Sequence, residues 1–301
     1  MSSSRGILLI IGAISLFVIM GSMVKAADRI PAGEAVFFRA FCALPVIVAW
    51  LAARGDLGAG LHVESWRSHA LRGIAGSIAM GLGFVGLKLL PLPEVTAIRF
   101  ATPILTVIFA ALILSEKVRL IRLSAVLVGL IGVMIVMWPR LQFQGGDLAM
   151  LGALVTLGSA GLAALSQVFI KAMAGSERTT AIVFWFSLTA SCLSLLTLPF
   201  GWVVPLGHEW TLLIGAGLLG GLGQILLTSS YRFADASVLA PFTYVSMIWA
   251  LLIGYFIFDE VPTAPMLLGA ALVISAGVAI VLRERQLGLR RTAERKVAGQ
   301  G

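Results

Sequence analysis

Residues 90–118 read LPLPEVTAIRFATPILTVIFAALILSEKV. After the proline-marked start Pro91–Pro93, the stretch Glu94–Ser115 is an apolar run interrupted by one cation, Arg99, and one proline, Pro103. At a rise of about 1.5 Å per residue, a helix of that length crosses a hydrocarbon core about 30 Å thick. Glu116, Lys117 and Arg119 close the run with charges suited to a headgroup surface. Such a segment reads as a transmembrane helix, and the rest of the chain repeats the pattern.

Working outward, ten segments of this kind are expected: approximately Gly6–Val24, Ala35–Ala53, His69–Lys88, Glu94–Ser115, Leu120–Trp138, Asp147–Ala172, Ala181–Phe200, Trp210–Ser230, Ala236–Phe258 and Thr263–Leu282. Turn residues and charges fill the connections, as in Arg54–Arg67, Pro139–Gly146 and Pro205–Glu209. Composition agrees. The 301 residues are 59% hydrophobic and 12% charged, against roughly 45–50% and about 25% in soluble domains. A water-soluble fold could not hide so much apolar surface, so lipid is the expected solvent. The first segment follows Arg5 like a signal peptide, but it exceeds an h-region of roughly 7–15 residues and is expected to be retained.

Several function classes drop out. The net charge of +8 resides in short loops and in the tail Arg283–Lys296, a distribution that fits anionic headgroups better than nucleic acid. Cys42 and Cys192 lie inside apolar runs and read as small buried hydrophobes. His62, His69 and His208 fall in loops or at helix ends without metal-ligand spacing, so neither a metal nor a cofactor is expected. No GxxxxGK[ST] occurs, which argues against an ATPase, and no helix centre carries the histidine that an intramembrane hydrolase would use.

Lys and Arg counts predict orientation. With the N-terminus inside, sixteen basic residues face the cytoplasm and four face outward, so both termini are expected in the cytoplasm. The inner count includes Arg72; Arg39 and Arg99 fall within helices. The chain also repeats itself. A shift of 146 sets Gly6 on Gly152, Lys25 on Lys171 and Phe38 on Phe184; a shift of 144 sets Gly73 on Gly217, Gly76 on Gly220 and Glu116 on Glu260. Each half holds five helices, an odd number, so the halves must insert with opposite orientation. The expected organisation is an all-α membrane protein of two inverted five-helix repeats, 1–140 and 141–283, followed by a basic cytoplasmic tail, 284–301.

The segments "GEAVFFRAF" (Gly33–Phe41), Leu90–Val118 above and "ADASVLAPFTYVSMIWALLIGYFIFDE" (Ala234–Glu260) resemble the bacterial EamA-type transporters of the drug/metabolite transporter superfamily. The resemblance spans about Gly6–Leu282 and is carried jointly by the acidic ends of helices four and nine. It implies ten helices in two inverted repeats around a central cavity and a small-molecule substrate such as an amino acid, vitamin or nucleotide-like compound. Arg99 stands where a polar or small residue is more usual in that family. The competing readings are an accessory membrane subunit without transport of its own, or an intramembrane enzyme. Oligomeric state is left open, a monomer being compatible.

Arg39 and Arg99 are the most informative side chains, because a charge at helix depth costs about 2.5–3.5 kcal/mol on insertion scales. Each reads either as a structural, snorkelling residue or as a substrate ligand. Phe100, Trp185, Tyr244 and Trp249 could stack on a planar substrate or face lipid, and Gln224 could contact substrate or bond between helices. Pro103 and Pro241 can free backbone carbonyls toward a cavity. Gly76 and Gly220 are expected where helix backbones meet.

Overall fold

The computed structural model describes residues 2–53, 55, 58–114, 128, 131–136, 138, 146–173, 176–230, 233, 240–272, 274, 275 and 278. The expected fifth segment, Glu116 and the basic tail lie wholly or mainly outside them. All regular structure among the described residues is helical: α1 Ser2–Ala26, α2 Ala32–Phe41, α3 Ala43–Ala53, α4 Trp66–Leu89, α5 Leu92–Arg99, α6 Ala101–Leu114, α7 Gly146–Met173, α8 Thr179–Leu195, α9 Gly207–Ser230 and α10 Val245–Phe258, with short 3-10 turns at Ala59–Leu61, Leu198–Phe200 and Ala240–Tyr244.

Prolines decide where the spans break. Pro45 and Pro103 have no N–H to offer the carbonyls of Phe41 and Arg99, four residues earlier. The chain breaks at those points, α2 ending at Phe41 and α5 at Arg99. Ser65 caps α4 by accepting the Ser68 N–H at 3.4 Å. Buried Glu34 and Glu209 stand in the first turns of α2 and α9, where a carboxylate suits the helix dipole. At the other end of α10, Asp259 takes a left-handed conformation (φ 54°), and the Glu260 N–H returns to Gly254 O at 2.9 Å. That turn aims the Glu260 side chain back at the bundle.

Among the described residues, five helical stretches are long and apolar enough to cross a membrane: Ser4–Ala26, Ala32–Ala53, Trp66–Leu89, Asp147–Ile170 and Gly207–Ser230. Thr179–Leu195 and Phe242–Phe258 are shorter apolar helices. Packing is inside-out relative to a soluble protein. Along α9, Trp210, Ile214, Leu218 and Leu222 form an exposed stripe, while Ala216, Gly217, Gly220, Gly221, Gly223 and Gln224 are buried. Small residues inside and large apolar ones outside are what helix association in lipid requires, since lipid already solvates Leu and only close approach stabilises the contact.

Two long antiparallel pairs dominate, α1 along α9 and α4 along α7. A Cβ on Gly83 would meet Ser159 Oγ at 3.0 Å; one on Gly86 would overlap Thr156; one on Gly152 would meet Leu90 Cγ at 2.9 Å. These pairs step in opposite directions along α4 and α7, and Ser159 Oγ donates to Ala79 O at 2.6 Å across the interface. Gly217 and Gly221 let α9 approach the backbone where α2 meets α3: their Cβ atoms would lie 2.7 Å from Phe38 O and 3.1 Å from Ala43 Cα. α2 and α4 contact each other and both contact α8, and α2 also packs on α9.

Candidate substrate site

Arg99 sits at the proline break between α5 and α6, and its side chain is exposed although Ile98, Phe100 and Ala101 beside it are buried. Its Nη1 reaches toward α4, 3.9 Å from the Cβ that Gly83 lacks. Phe100 is buried and meets Tyr244 edge to face, with centroids 5.0 Å apart. Tyr244 ends the 3-10 turn that holds Pro241, and Trp249, on α10, is exposed. Arg99, Phe100 and Tyr244 therefore gather where α5, α6 and the start of α10 come together.

Arg39 lies apart from this group. Its Cζ is 5.7 Å from the centroid of Phe186, and Arg72 Cζ is 3.9 Å from the same centroid. Arg72, counted with the inner-side cations, lies inside α4 and is buried. Gly76, one helical turn after Arg72, makes room for that side chain and for Phe186; Gly220 makes room for Arg39 and Met20. These two glycines meet side chains, and on α9 the backbone contacts fall at Gly217 and Gly221 instead. Buried Gln224 follows Gly220 by one turn on α9. Trp185 is engaged elsewhere: its indole N–H donates to Leu61 O at 3.1 Å and its ring packs on Trp66 at 4.7 Å.

Polar ties close both ends of the bundle. At one, Lys25 Nζ is 2.9 Å from Glu260 Oε1 and donates to Leu90 O at 2.7 Å and Leu87 O at 3.1 Å. Glu260 Oε2 accepts the Leu92 N–H at 2.7 Å, so one ion pair joins the ends of α1, α4, α5 and α10. Lys88 Nζ donates to Ala27 O and Asp28 O, and Glu34 Oε2 accepts the Val203 N–H at 3.0 Å. At the opposite end, Glu177 Oε1 accepts the N–H groups of Glu64 and Ser65 at 3.0 and 2.8 Å, with His69 Nε2 3.2 Å from Oε2.

Burial alone would raise the Glu177 pKa, but the Ser65 N–H, His69 and the Glu64 N–H outweigh it and hold the carboxyl below the usual carboxylate range. A depressed pKa stabilises the fold above the unfolded value of about 4.3 and loses that contribution as pH falls through the folded value. Glu177→Gln should thus melt below wild type at pH 7, by roughly 1–3 kcal/mol for hydrogen bonds to a charged group. The gap should narrow as pH falls below the unfolded value of about 4.3. Thermal unfolding at pH 7 and pH 3.5 reads this; a gap independent of pH would contradict it.

Arg72, Phe186 and Lys25 are the contributors that sequence reasoning did not single out. A signal for Arg72 was present in Gly76, spaced so that the long side chain can lie along its own helix.

Helices of this length and polarity, small residues inside and apolar stripes outside, define a multi-pass membrane protein. The chain belongs to the EamA-like transporter family, whose sequence profile matches twice, at residues 4–138 and 150–283. It is 29% identical over 280 residues to the pseudopaline exporter CntI of Pseudomonas aeruginosa, covering 91% of this chain and 95% of that one. It is 26% identical to the S-adenosylmethionine uptake transporter of Rickettsia prowazekii (86% and 85% covered) and 28% identical to the riboflavin transporter of Vibrio cholerae (90% of each). A crystal structure of another protein, 22% identical, superposes with a TM-score of 0.69 over 94% of this chain and 99% of its own, and shows the shared fold alone. The family and these relatives are transporters of small molecules, not enzymes.

Proposed function

We propose that this chain is a secondary transporter that carries a small organic metabolite across the cell membrane by alternating access. Its ten helices form two inverted repeats, 1–140 and 141–283, and the solute binds between them. The observation that carries this reading is a reciprocal pairing. The repeat relates α1 to α7 and α4 to α9, so the pair α1–α9 and the pair α7–α4 exchange under it. Side chains follow the same rule. Glu34 and Thr180 are equivalent under the shift of 146. Glu34 accepts a backbone N–H from Val203 in the second half, and Thr180 Oγ1 donates to Gly60 O in the first at 2.7 Å. Two near-equivalent halves make two oppositely opened states similar in energy, which is the physical basis of alternating access.

Within this reading Arg99, Phe100, Tyr244, Trp249 and Gln224 contact the solute, and Pro103 and Pro241 keep helices four and nine broken beside it. The Lys25 end faces outward, and the Lys25–Glu260 pair is a contact that must part when that side opens. The names of the relatives support a substrate that is a metabolite of the size of S-adenosylmethionine or riboflavin. Flux in liposomes holding only the purified chain tests the proposal; binding of a metabolite without any flux of it would sink the transporter reading. Reporter fusions test the arrangement. One after Arg140 should report the outside and one after Arg232 the cytoplasm. The same side for both would refute an odd-numbered repeat.

A further inference from the structure

The strongest unexplained feature is a pair of cations buried against one ring. Arg39 on α2 and Arg72 on α4 are 5% and 6% exposed. Both guanidinium carbons lie within 6 Å of the Phe186 centroid, the closer, Arg72, at 3.9 Å. Arg39 Nε and Arg72 Nε and Nη1 have no hydrogen-bond partner. Among the described residues the ion pairs are Lys25–Glu260, Arg29–Glu209 and His69–Glu177, and neither arginine belongs to one.

A guanidinium cannot shed its proton to escape burial. Two of them beside one ring repel each other, in a setting where water screens little. The face of Phe186 attracts each, but that attraction is small against two desolvated charges. Packing also accommodates the arginines by design of the sequence rather than by crowding: Gly76 and Gly220, equivalent positions of the two halves, leave the volume that Arg72 and Arg39 occupy. Buried donors in native structures are nearly always hydrogen-bonded, to protein, water or a bound ion.

We infer that Arg39, Arg72 and Phe186 form an oxyanion subsite, in which the two guanidinium groups, backed by the Phe186 ring, hold a carboxylate or phosphate of a small organic anion. The inference rests on the transporter reading in taking that anion to be part of the carried solute. It is distinct from Arg99, which lies near Gly83, two helical turns along α4 from Gly76. Planar forked donors suit either oxyanion. The subsite draws on α2 and α4 from the first half and α8 from the second, so an anion there also bonds the halves to one another.

The test is thermal unfolding of the purified full-length protein, followed by tryptophan fluorescence, with sodium succinate, inorganic phosphate, neutral succinamide, or sodium chloride at matched ionic strength. Succinate or phosphate should raise the melting temperature above the chloride control by on the order of 2–4 °C, and succinamide should not. A shift with succinate alone assigns a carboxylate; one with phosphate alone, a phosphate. Arg39→Gln/Arg72→Gln should abolish the shift, and in chloride it should melt no lower than wild type, because two buried like charges are gone. Arg39→Lys and Arg72→Lys, which keep the charge and lose the fork, should each at least halve the shift. Absence of any oxyanion shift in wild type overturns the subsite, as does an undiminished shift in both lysine variants. Flux is scored separately. Flux without an arginine-dependent shift removes the subsite and leaves the transporter; an arginine-dependent shift without flux does the reverse.

Discussion

Arg99→Gln is expected to remove most of the affinity for the carried solute, about 2–4 kcal/mol if the guanidinium pairs with a desolvated acceptor. That is a loss of roughly 30- to 1,000-fold in binding. The guanidinium is exposed at the break between α5 and α6, between buried neighbours, and reaches toward Gly83 in the span of α4. Such a cation is offset by water or by a ligand, and the proposed transport path supplies both. Arg99→Lys keeps the charge and loses the planar fork, so it should fall between wild type and Arg99→Gln. The assay takes whichever metabolite raises the melting temperature in a screen that includes S-adenosylmethionine, riboflavin and amino acids, and compares affinity and flux. Arg140→Gln, in the expected outer loop, is the control and should change little. Unchanged affinity in Arg99→Gln would remove Arg99 from the site.

Glu260→Ala should be the most damaging change at the Lys25 end of the bundle. Glu260 serves Lys25 and the Leu92 N–H together, and the pair is only 14% and 13% exposed. Removing the carboxylate leaves a nearly buried ammonium and a free helix-start N–H, a cost of about 2–4 kcal/mol after allowing for partial exposure. Lys25→Met/Glu260→Gln should recover part of that loss, because the uncompensated charge leaves with its partner. Arg29→Gln is the contrast. Arg29 is 48% exposed and its buried partner Glu209 keeps the Leu206 N–H at 2.7 Å, so losing Arg29 should cost less than Glu260→Ala. Thermal unfolding in detergent ranks the three variants. A Glu260→Ala protein that melts with wild type would show that this tie holds nothing together. If it melts lower but transports normally, the pair would be structural and not part of opening.

These experiments bear on a site whose parts were unequally legible in the sequence. The lengths of the apolar runs predicted α1, α4, α7 and α9 closely, because the thickness of the hydrocarbon core fixes how many residues a span needs. Pro45 and Pro103 mark the breaks in helices two and four by the missing N–H, a purely local effect. The class and family followed from the same local information, since a chain so apolar has lipid as its solvent and the end motifs of helices four and nine can be read in one dimension. Partner choice was a different matter. Glu260 stood in the sequence only as the acidic end of helix nine, yet it reaches Lys25, near the opposite end of the chain, once the left-handed turn at Asp259 aims it there. Arg72 counted as one more inner cation until α4 drew it into the bundle against Phe186. Trp185 carried a stacking aromatic's signature, and its partners Leu61 and Trp66 could not be read from the sequence. Helical period and hydropathy fix which residues can enter the membrane. Which helices face one another, and so which buried charges find a partner, depends on contacts between segments far apart in the chain, and only the tertiary structure decides that.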